Sequence, residues 1–203
     1  MSKYAFVGGK LVDGTGAAPV EDSLVLIDDD KITYAGPRKE VPEGYEVRDA
    51  SGHTVMPGLV DTHLHFSGNL TDNDNDWVIE SVAQKQACAV KQSWDALSHG
   101  LTTVCEIGRN GIAIRDLVNM GIMEGPRIYA TGLGFCRVAG HGDCHQLPQE
   151  ISKNGHPWGD QVDGPWDLRK AVRRRLRENP DAIKIWATGG GIWHWDSGRD
   201  QHY

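Results

Sequence analysis

Short apolar runs and amphipathic helical segments alternate from Leu59 onward, and this order restricts the fold more than any other feature of the sequence. Four strands joined by helices require a parallel sheet with right-handed crossovers. In the helical segments, apolar residues recur at steps of three and four, which is typical of helices that pack on one side of a sheet. We therefore predict an α/β fold with strands at residues 59–66, 102–107, 127–131 and 183–187, and helices at residues 83–97, at residues 112–120 and from Pro165 until Asn179.

Residues 3–56 have a different pattern, in which short β-type runs are separated by Asp, Gly and Pro turn residues. This pattern predicts a small antiparallel β domain. The expected organisation is a β domain over residues 1–57 and an α/β domain over residues 58–203. The predicted β runs are residues 4–7, 23–27, 31–35, 45–48 and 53–56.

Two histidines stand two residues apart at the end of the first predicted α/β strand. Side chains at this spacing point to the same side of a strand, so His63 and His65 would reach one space. Imidazole is a preferred zinc ligand, and the pattern indicates a metal site. Leu59, Val60 and Leu64 are the apolar content of a buried parallel strand. A surface strand with two solvated histidines is the alternative and stays open.

Lys184 stands between Ile183 and Ile185 in the fourth predicted strand. If the isoleucines face the helices, the lysine faces the other side of the sheet, where a poorly hydrated ammonium needs a lowered pKa or a partner. A neutral lysine amine can react with carbon dioxide to give a carbamate, whose two oxygens can bridge two metal ions. A lysine that reaches solvent at a strand end is the alternative.

Six blocks of sequence stand out: Met56–His65, Ser98–Val104, Gly125–Ile128, Gly140–Asp143, Ile183–Ile185 and Thr188–Gly190. Together they resemble the metal-dependent amidohydrolase superfamily. They look most like its prolidase-like branch, which includes dipeptidases and amidases that act on N-acylated amino acids. This resemblance implies a (β/α)8 barrel flanked by a β-sandwich. A complete barrel takes about 250 residues, so we expect these 203 residues to form the first four strands of the barrel and part of the sandwich, without the C-terminal half.

The resemblance also implies a reaction. His63 and His65 would hold one of two divalent ions, most simply zinc, and a carboxylated Lys184 would bridge the pair. A metal-activated hydroxide would then cleave an amide or peptide C–N bond of a dipeptide or N-acyl amino acid. The remaining His and Asp ligands are expected after later barrel strands, so the 203-residue chain by itself is expected to be inactive.

A long Gly-, His- and Asp-rich segment, residues 133–164, follows the third strand, and connections of this length are usually functional or disordered. In a barrel it would lie at the face that carries active sites. By the resemblance, His141 would contact the substrate or polarise its carbonyl; a role in shaping the loop is equally open. Arg137 is a candidate for binding a substrate carboxylate. Trp186 and Trp193 would form an apolar wall, or would only pack.

Charge and composition exclude some partners. The formal charge of −7 argues against nucleic-acid binding, and the basic run at residues 173–177 fits a solvated helix face. No apolar run approaches the length of a membrane span. Four cysteines without a CxxC pair and a start without a signal peptide predict a cytoplasmic protein. A small-molecule or dipeptide substrate is the expected partner, and assembly into a homo-oligomer is left open.

Two other functions compete with the binuclear hydrolase. The first is a mononuclear deaminase of the same superfamily, which by the resemblance would not need a bridging lysine at position 184. The second is a truncated or non-catalytic half-barrel that pairs with another chain, because half a barrel exposes two sheet edges and lacks part of its metal ligands.

Overall fold

The computed structural model describes residues 2–69, 71, 79–153, 159–192 and 195–202. Trp193 lies outside these residues. The chain divides into two compact units, Met1–Gly58 and Leu59–Tyr203. The described elements, in chain order, are β1 Lys3–Val7, β2 Lys10–Leu11, β3 Ser23–Asp28, β4 Lys31–Pro37, β5 Glu46–Asp49, β6 Thr54–Val55, β7 Leu59–Leu64, α1 Val82–Ser98, β8 Leu101–Glu106, α2 Gly111–Asn119, β9 Arg127–Ala130, β10 Gly134–Cys136, α3 Gln149–Lys153, β11 Gly159–Gln161 and α4 Gly164–Leu176.

The first unit is built on a four-stranded sheet in the order β4-β3-β1-β5. Strand β3 pairs antiparallel with both β1 and β4, but β5 pairs parallel with β1, so the prediction of a purely antiparallel domain is wrong. Since β4 and β5 both run in the direction of β1, residues 38–45 must carry the chain back along the sheet. The core of this unit contains Ala5, Val7, Leu24 and Leu26, with Tyr34, Val41 and Tyr45 packed against them.

The second unit contains a parallel three-stranded sheet in the order β7-β8-β9. Val104 lies opposite Ile128 in this sheet, and both side chains are buried among residues of α1 and α2. Because side chains alternate along a strand, Cys105 and Tyr129 lie on the other side of the sheet, and Tyr129 is 50% exposed. The core cluster is formed by Phe66, Ala89, Val104, Ile114, Ile128 and Ala130.

Strand β7 is less buried than its sequence predicts. Leu64 packs against the core, but Leu59 and Val60 are 48% and 64% exposed. The reason is the position of the strand: among the described residues β7 pairs only with β8 and forms the edge of the sheet. An edge strand is covered less than the central strand of a doubly covered parallel sheet.

The fourth strand predicted at residues 183–187 is reduced to one bridge, between Ile185 and Phe135. Phe135 N–H donates to the Lys184 carbonyl, and Trp186 N–H donates to the Phe135 carbonyl, each at 2.9 Å. Strand β10 pairs with β11 as well, so the long segment expected to be a loop contains two strands and the helix α3. The second unit has another core, which is formed by Phe135 of β10, Val162 and Ala171 of α4. Ile183 and further residues of α4 pack against it.

The predicted helices are present with small changes at their ends. Helix α1 begins after Ser81, whose hydroxyl accepts from the Gln84 N–H while the Gln84 side chain accepts from the Ser81 N–H, a reciprocal capping box. Gly100 follows the end of α1 with a φ of 91°, a left-handed conformation that favours glycine. Helix α4 has Pro165 in its first turn, where a missing N–H costs little. Within the described residues, each helix is too short or too polar to cross a bilayer.

Candidate active site

His63 and His65 lie at the carboxyl end of β7, on the side of the sheet opposite the helices. Leu64 between them packs against the helix-covered core, so strand alternation directs both imidazoles to the open side. Their ring centroids are 5.2 Å apart in an edge-to-face arrangement. The Asp61 carboxylate accepts a hydrogen bond of 2.9 Å from the His63 N–H and so helps to fix the end of the strand. The structure thus brings the two histidines together.

Partial burial lowers the pKa of His65, and the neighbouring His63 and the positive charge of Lys184 lower it further. A hydrogen bond with the Ile107 backbone opposes this shift. A lowered pKa favours the neutral imidazole, which is the form that binds a metal ion. A backbone partner on a ring nitrogen also orients the imidazole, as is usual for histidines that bind metals.

Lys184 is half-buried and points away from the helices, because Ile183 packs against the core around α4. Burial lowers the pKa of the Lys184 ammonium. Its Nζ lies 5.4 Å from the centroid of the Trp186 ring. A lowered pKa favours the neutral amine, which is the form that can be carboxylated.

The donor set in the described part of the chain is incomplete for a metal ion. Among the described residues, no group of three or more His, Cys, Asp or Glu side chains converges on one point. Two neighbouring imidazoles and a lysine amine therefore fit one part of a metal site. The remaining ligands would have to come from elsewhere, since a stable zinc site normally has at least three protein ligands.

His141 forms a short hydrogen bond through Nδ1 to the Asp196 carboxylate. The two side chains are 15% and 1% exposed. The other contacts of Asp196 are backbone donors: Gly190 N–H at 2.9 Å and Gly191 N–H at 3.1 Å. Burial alone would raise the pKa of Asp196, but the hydrogen bonds from His141 and Gly190 outweigh it and lower the pKa. This His141–Asp196 dyad therefore connects the long segment at residues 133–164 to the segment after residue 187.

The Gly189-Gly190 pair is required by close packing around this dyad. A Cβ on Gly190 would lie 2.1 Å from Cε1 of His141, and one on Gly189 would lie 2.0 Å from the Ser197 carbonyl oxygen. Contacts this short are not tolerated, so the backbone can pass His141 only without a side chain. The two glycines thus let Asp196 reach His141.

The other predicted substrate-binding residues differ in their surroundings. Trp186 lies beside both Lys184 and His141, with ring centroids of Trp186 and His141 6.3 Å apart. A Cβ on Gly134 would lie 2.6 Å from the Trp186 ring and one on Gly142 would lie 2.9 Å from it, so the ring is tightly packed between two backbone segments. The Arg137 guanidinium donates to the Val138 carbonyl at 3.2 Å.

Two carboxylates near these residues were missed by the sequence analysis. Asp196 is one. The other is Glu106 at the end of β8, which is 0% exposed and accepts from Phe66 N–H and Gly108 N–H at 3.1 Å each. Burial raises the pKa of the Glu106 carboxyl from 4.5 to about 7. The sequence did contain a signal for Glu106: it is a glutamate on the helix side of a strand, and Gly108 and Gly111 follow it closely.

Comparisons with known proteins identify the family and the fold of the chain. A model described as the amidohydrolase family matches residues 54–192. The chain is 32% identical over 200 residues to ochratoxinase of Aspergillus niger, which covers 90% of this chain and 41% of that protein. It is 30% identical over 206 residues to 5-methylthioadenosine/S-adenosylhomocysteine deaminase of Symbiobacterium thermophilum, which covers 92% of this chain and 46% of that protein.

One solved structure extends the comparison to the fold. A prolidase complexed with N-methylphosphonate-L-proline superposes with a TM-score of 0.84 and 25% identity, and the match covers 100% of this chain and 50% of that one. The mixed α/β fold is therefore that of amidohydrolase structures. The chain spans about half the length of the relatives it matches.

Proposed function

The chain belongs to the amidohydrolase family, and on this basis we propose that it is part of a metal-dependent hydrolase that cleaves the amide or peptide C–N bond of a dipeptide or N-acyl amino acid. The observation that carries the proposal is the pair His63 and His65, whose imidazoles lie together on one side of β7. These residue types on rigid elements suit a metal centre.

Two divalent ions would be held by His63, His65 and a carboxylated Lys184. Zinc suits this site because imidazole is one of its preferred ligands. When bound, such ions supply polarisation of the scissile carbonyl and a water of lowered pKa. The described residues offer only part of a ligand shell. The proposal therefore includes a second half of a barrel that completes the shell and is required for turnover.

His141 would orient the substrate carbonyl by hydrogen bonding, and Asp196 would hold its ring in place through Nδ1. Trp186 would provide an apolar wall beside this position. Arg137 and Trp193 remain candidates for contacts with the rest of the substrate. The prolidase neighbour is complexed with N-methylphosphonate-L-proline, which supports a prolyl dipeptide as the first substrate to test.

The metal centre can be tested in a polypeptide with the complete ligand shell. His63→Ala and His65→Ala should each lower the zinc that stays bound after gel filtration, measured by elemental analysis, because each removes one of few ligands. His99→Ala is the matched control: His99 is also exposed, but it caps α1 at the end of the sheet where the strands begin. Zinc content that is unchanged in both strand variants would refute the metal centre.

A deaminase is the second candidate, and the identity to the 5-methylthioadenosine/S-adenosylhomocysteine deaminase supports it. The two reactions differ in their products. Hydrolysis of a dipeptide releases two amino acids, whereas deamination of an adenosine derivative releases ammonia. In a polypeptide with the complete ligand shell, loss of activity in Lys184→Ala together with amino acid release supports the hydrolase, and ammonia release that persists in Lys184→Ala supports the deaminase.

A further inference from the structure

Glu106 is a buried carboxylate with no role in the proposed reaction. Its side chain is fully buried at the carboxyl end of β8. Burial of an ionisable group is costly unless its hydrogen bonds are made. Among the described residues, its partners are backbone N–H groups from three places: Phe66 after β7, Gly108 after β8, and Gly111 at the start of α2.

The contact with Phe66 bears directly on the histidine strand. The N–H that Glu106 accepts, at 3.1 Å, belongs to the peptide bond that joins His65 to Phe66. The carbonyl of Phe66 accepts from the Asn110 side chain at 2.7 Å. The Phe66 ring is 2% exposed and lies in the core. The residue after His65 is thus held through its N–H, its carbonyl and its ring.

The loop after β8 is shaped around this carboxylate. A Cβ on Gly108 would lie 2.6 Å from Oε1 of Glu106 and 3.6 Å from Nδ1 of His65. A Cβ on Gly111 would lie 2.0 Å from Oε2 of Glu106. Both positions therefore require glycine while Glu106 keeps its place. The Gly108 backbone thus lies between the Glu106 carboxylate and the His65 ring.

We propose that Glu106 is a positioning residue for the candidate metal centre. By holding the peptide bond after His65, its carboxylate fixes the direction of the imidazole at the end of β7, so zinc affinity depends on Glu106 although Glu106 does not bind the metal. This inference rests on the proposed metal-binding role of His65. Groups that orient metal ligands without touching the metal typically change metal affinity about 10-fold to 100-fold.

The test is a double-mutant cycle in a polypeptide with the complete ligand shell. Zinc affinity is measured at neutral pH by competition with a chromophoric chelator for the wild type, Glu106→Gln, His65→Ala and the double variant. Glutamine keeps the shape but replaces one acceptor oxygen by an NH2 group that cannot accept from the facing N–H groups. We expect Glu106→Gln to weaken zinc binding about 10-fold and to have no further effect once His65 is alanine.

Asp181→Asn is the matched control. Asp181 is also a carboxylate that accepts a backbone N–H at the end of a strand, here Ala130 of β9 at 2.8 Å, but that strand carries no proposed ligand. Zinc affinity should be unchanged in this variant. An equal loss of affinity in Asp181→Asn would mean that general loosening of the sheet explains the effect, and would overturn the inference.

Two further outcomes separate this inference from the function on which it rests. If His65→Ala loses zinc but Glu106→Gln binds it like the wild type, Glu106 is not a positioning residue and the metal centre stands. If neither variant loses zinc, the metal centre itself is wrong. Should Glu106→Gln fail to fold, Asn110→Ala, which removes the hydrogen bond to the Phe66 carbonyl, takes its place in the cycle: the inference requires a loss of affinity that depends on His65, and an unchanged affinity overturns it.

Discussion

Glu106 should make the stability of the second unit depend on pH in a way that Glu106→Gln removes. Burial raises the pKa of this carboxyl from 4.5 to about 7. Below the lower value the group is protonated in both the folded and the unfolded chain. Between the two values the unfolded chain has released its proton while the folded chain keeps it, so stability falls as pH rises through this window and levels off above it.

The size of the effect follows from the two pKa values. A change of one pKa unit is worth about 1.36 kcal/mol, so a rise from 4.5 to about 7 corresponds to about 3 kcal/mol for this fully buried group. The wild type should therefore lose about 3 kcal/mol of unfolding free energy relative to Glu106→Gln between low and neutral pH. This is a large part of the stability of a typical domain.

Urea denaturation followed by tryptophan fluorescence measures this difference. All seven tryptophans of the chain lie after residue 58, so their fluorescence reports on the second unit alone. Unfolding free energies of wild type and variant are compared from about pH 5 to about pH 8.

Asp181→Asn serves as the control for this series. Burial alone would raise the pKa of Asp181, but the Ala130 N–H and Arg115 outweigh it and lower the pKa below 3.8. The stability from this group is therefore present above pH 3.8 and is lost only as pH falls below it. The difference between wild type and Asp181→Asn should be flat over the measured range. A Glu106→Gln difference that is equally flat would refute a raised pKa at Glu106.

The remaining predictions concern the His141 dyad. In a polypeptide with the complete ligand shell, His141→Ala should lower kcat by an amount equal to about 2 to 4 kcal/mol without changing zinc content; full turnover would reduce His141 to a residue that shapes the loop. Gly190→Ala should destabilise the second unit by about 1 to 3 kcal/mol, since its Cβ would lie 2.1 Å from the His141 ring, whereas Gly198→Ala, with its nearest neighbour at 3.4 Å, should leave the urea midpoint unchanged. Equal midpoints for the two glycine variants would contradict the close packing.

Local pattern was sufficient to predict the elements that form the second unit. The apolar periodicity of α1, α2 and α4 and the short runs of β7, β8 and β9 are properties of neighbouring residues, and the structure has these elements within a few residues of the predicted ends. The parallel pairing of β5 with β1 could not be predicted in this way. It depends on which edge of the sheet the chain reaches after β4, and the sequence of residues 38–45 does not encode that choice visibly.

The candidate site also contains one arrangement that local sequence predicts and others that it does not. The spacing of His63 and His65 predicts a shared direction, because two residues on one strand need no other element to bring them together. Asp196 meets His141 across 55 positions of sequence, and Glu106 meets Phe66 across 40. Such partners are chosen by the tertiary fold, and the only local trace of them is the glycines at positions 108, 111 and 190 that leave room for the contacts.

The proposed metal site consists of His63, His65 and a carboxylated Lys184. Its most direct test is a crystal structure of a polypeptide with the complete ligand shell, grown with zinc and bicarbonate and measured at the zinc absorption edge. We expect anomalous peaks beside both imidazoles and density that continues beyond the Lys184 Nζ into a planar three-atom group in contact with the metal. Zinc bound elsewhere, with an unmodified Lys184 that points to solvent, would contradict it.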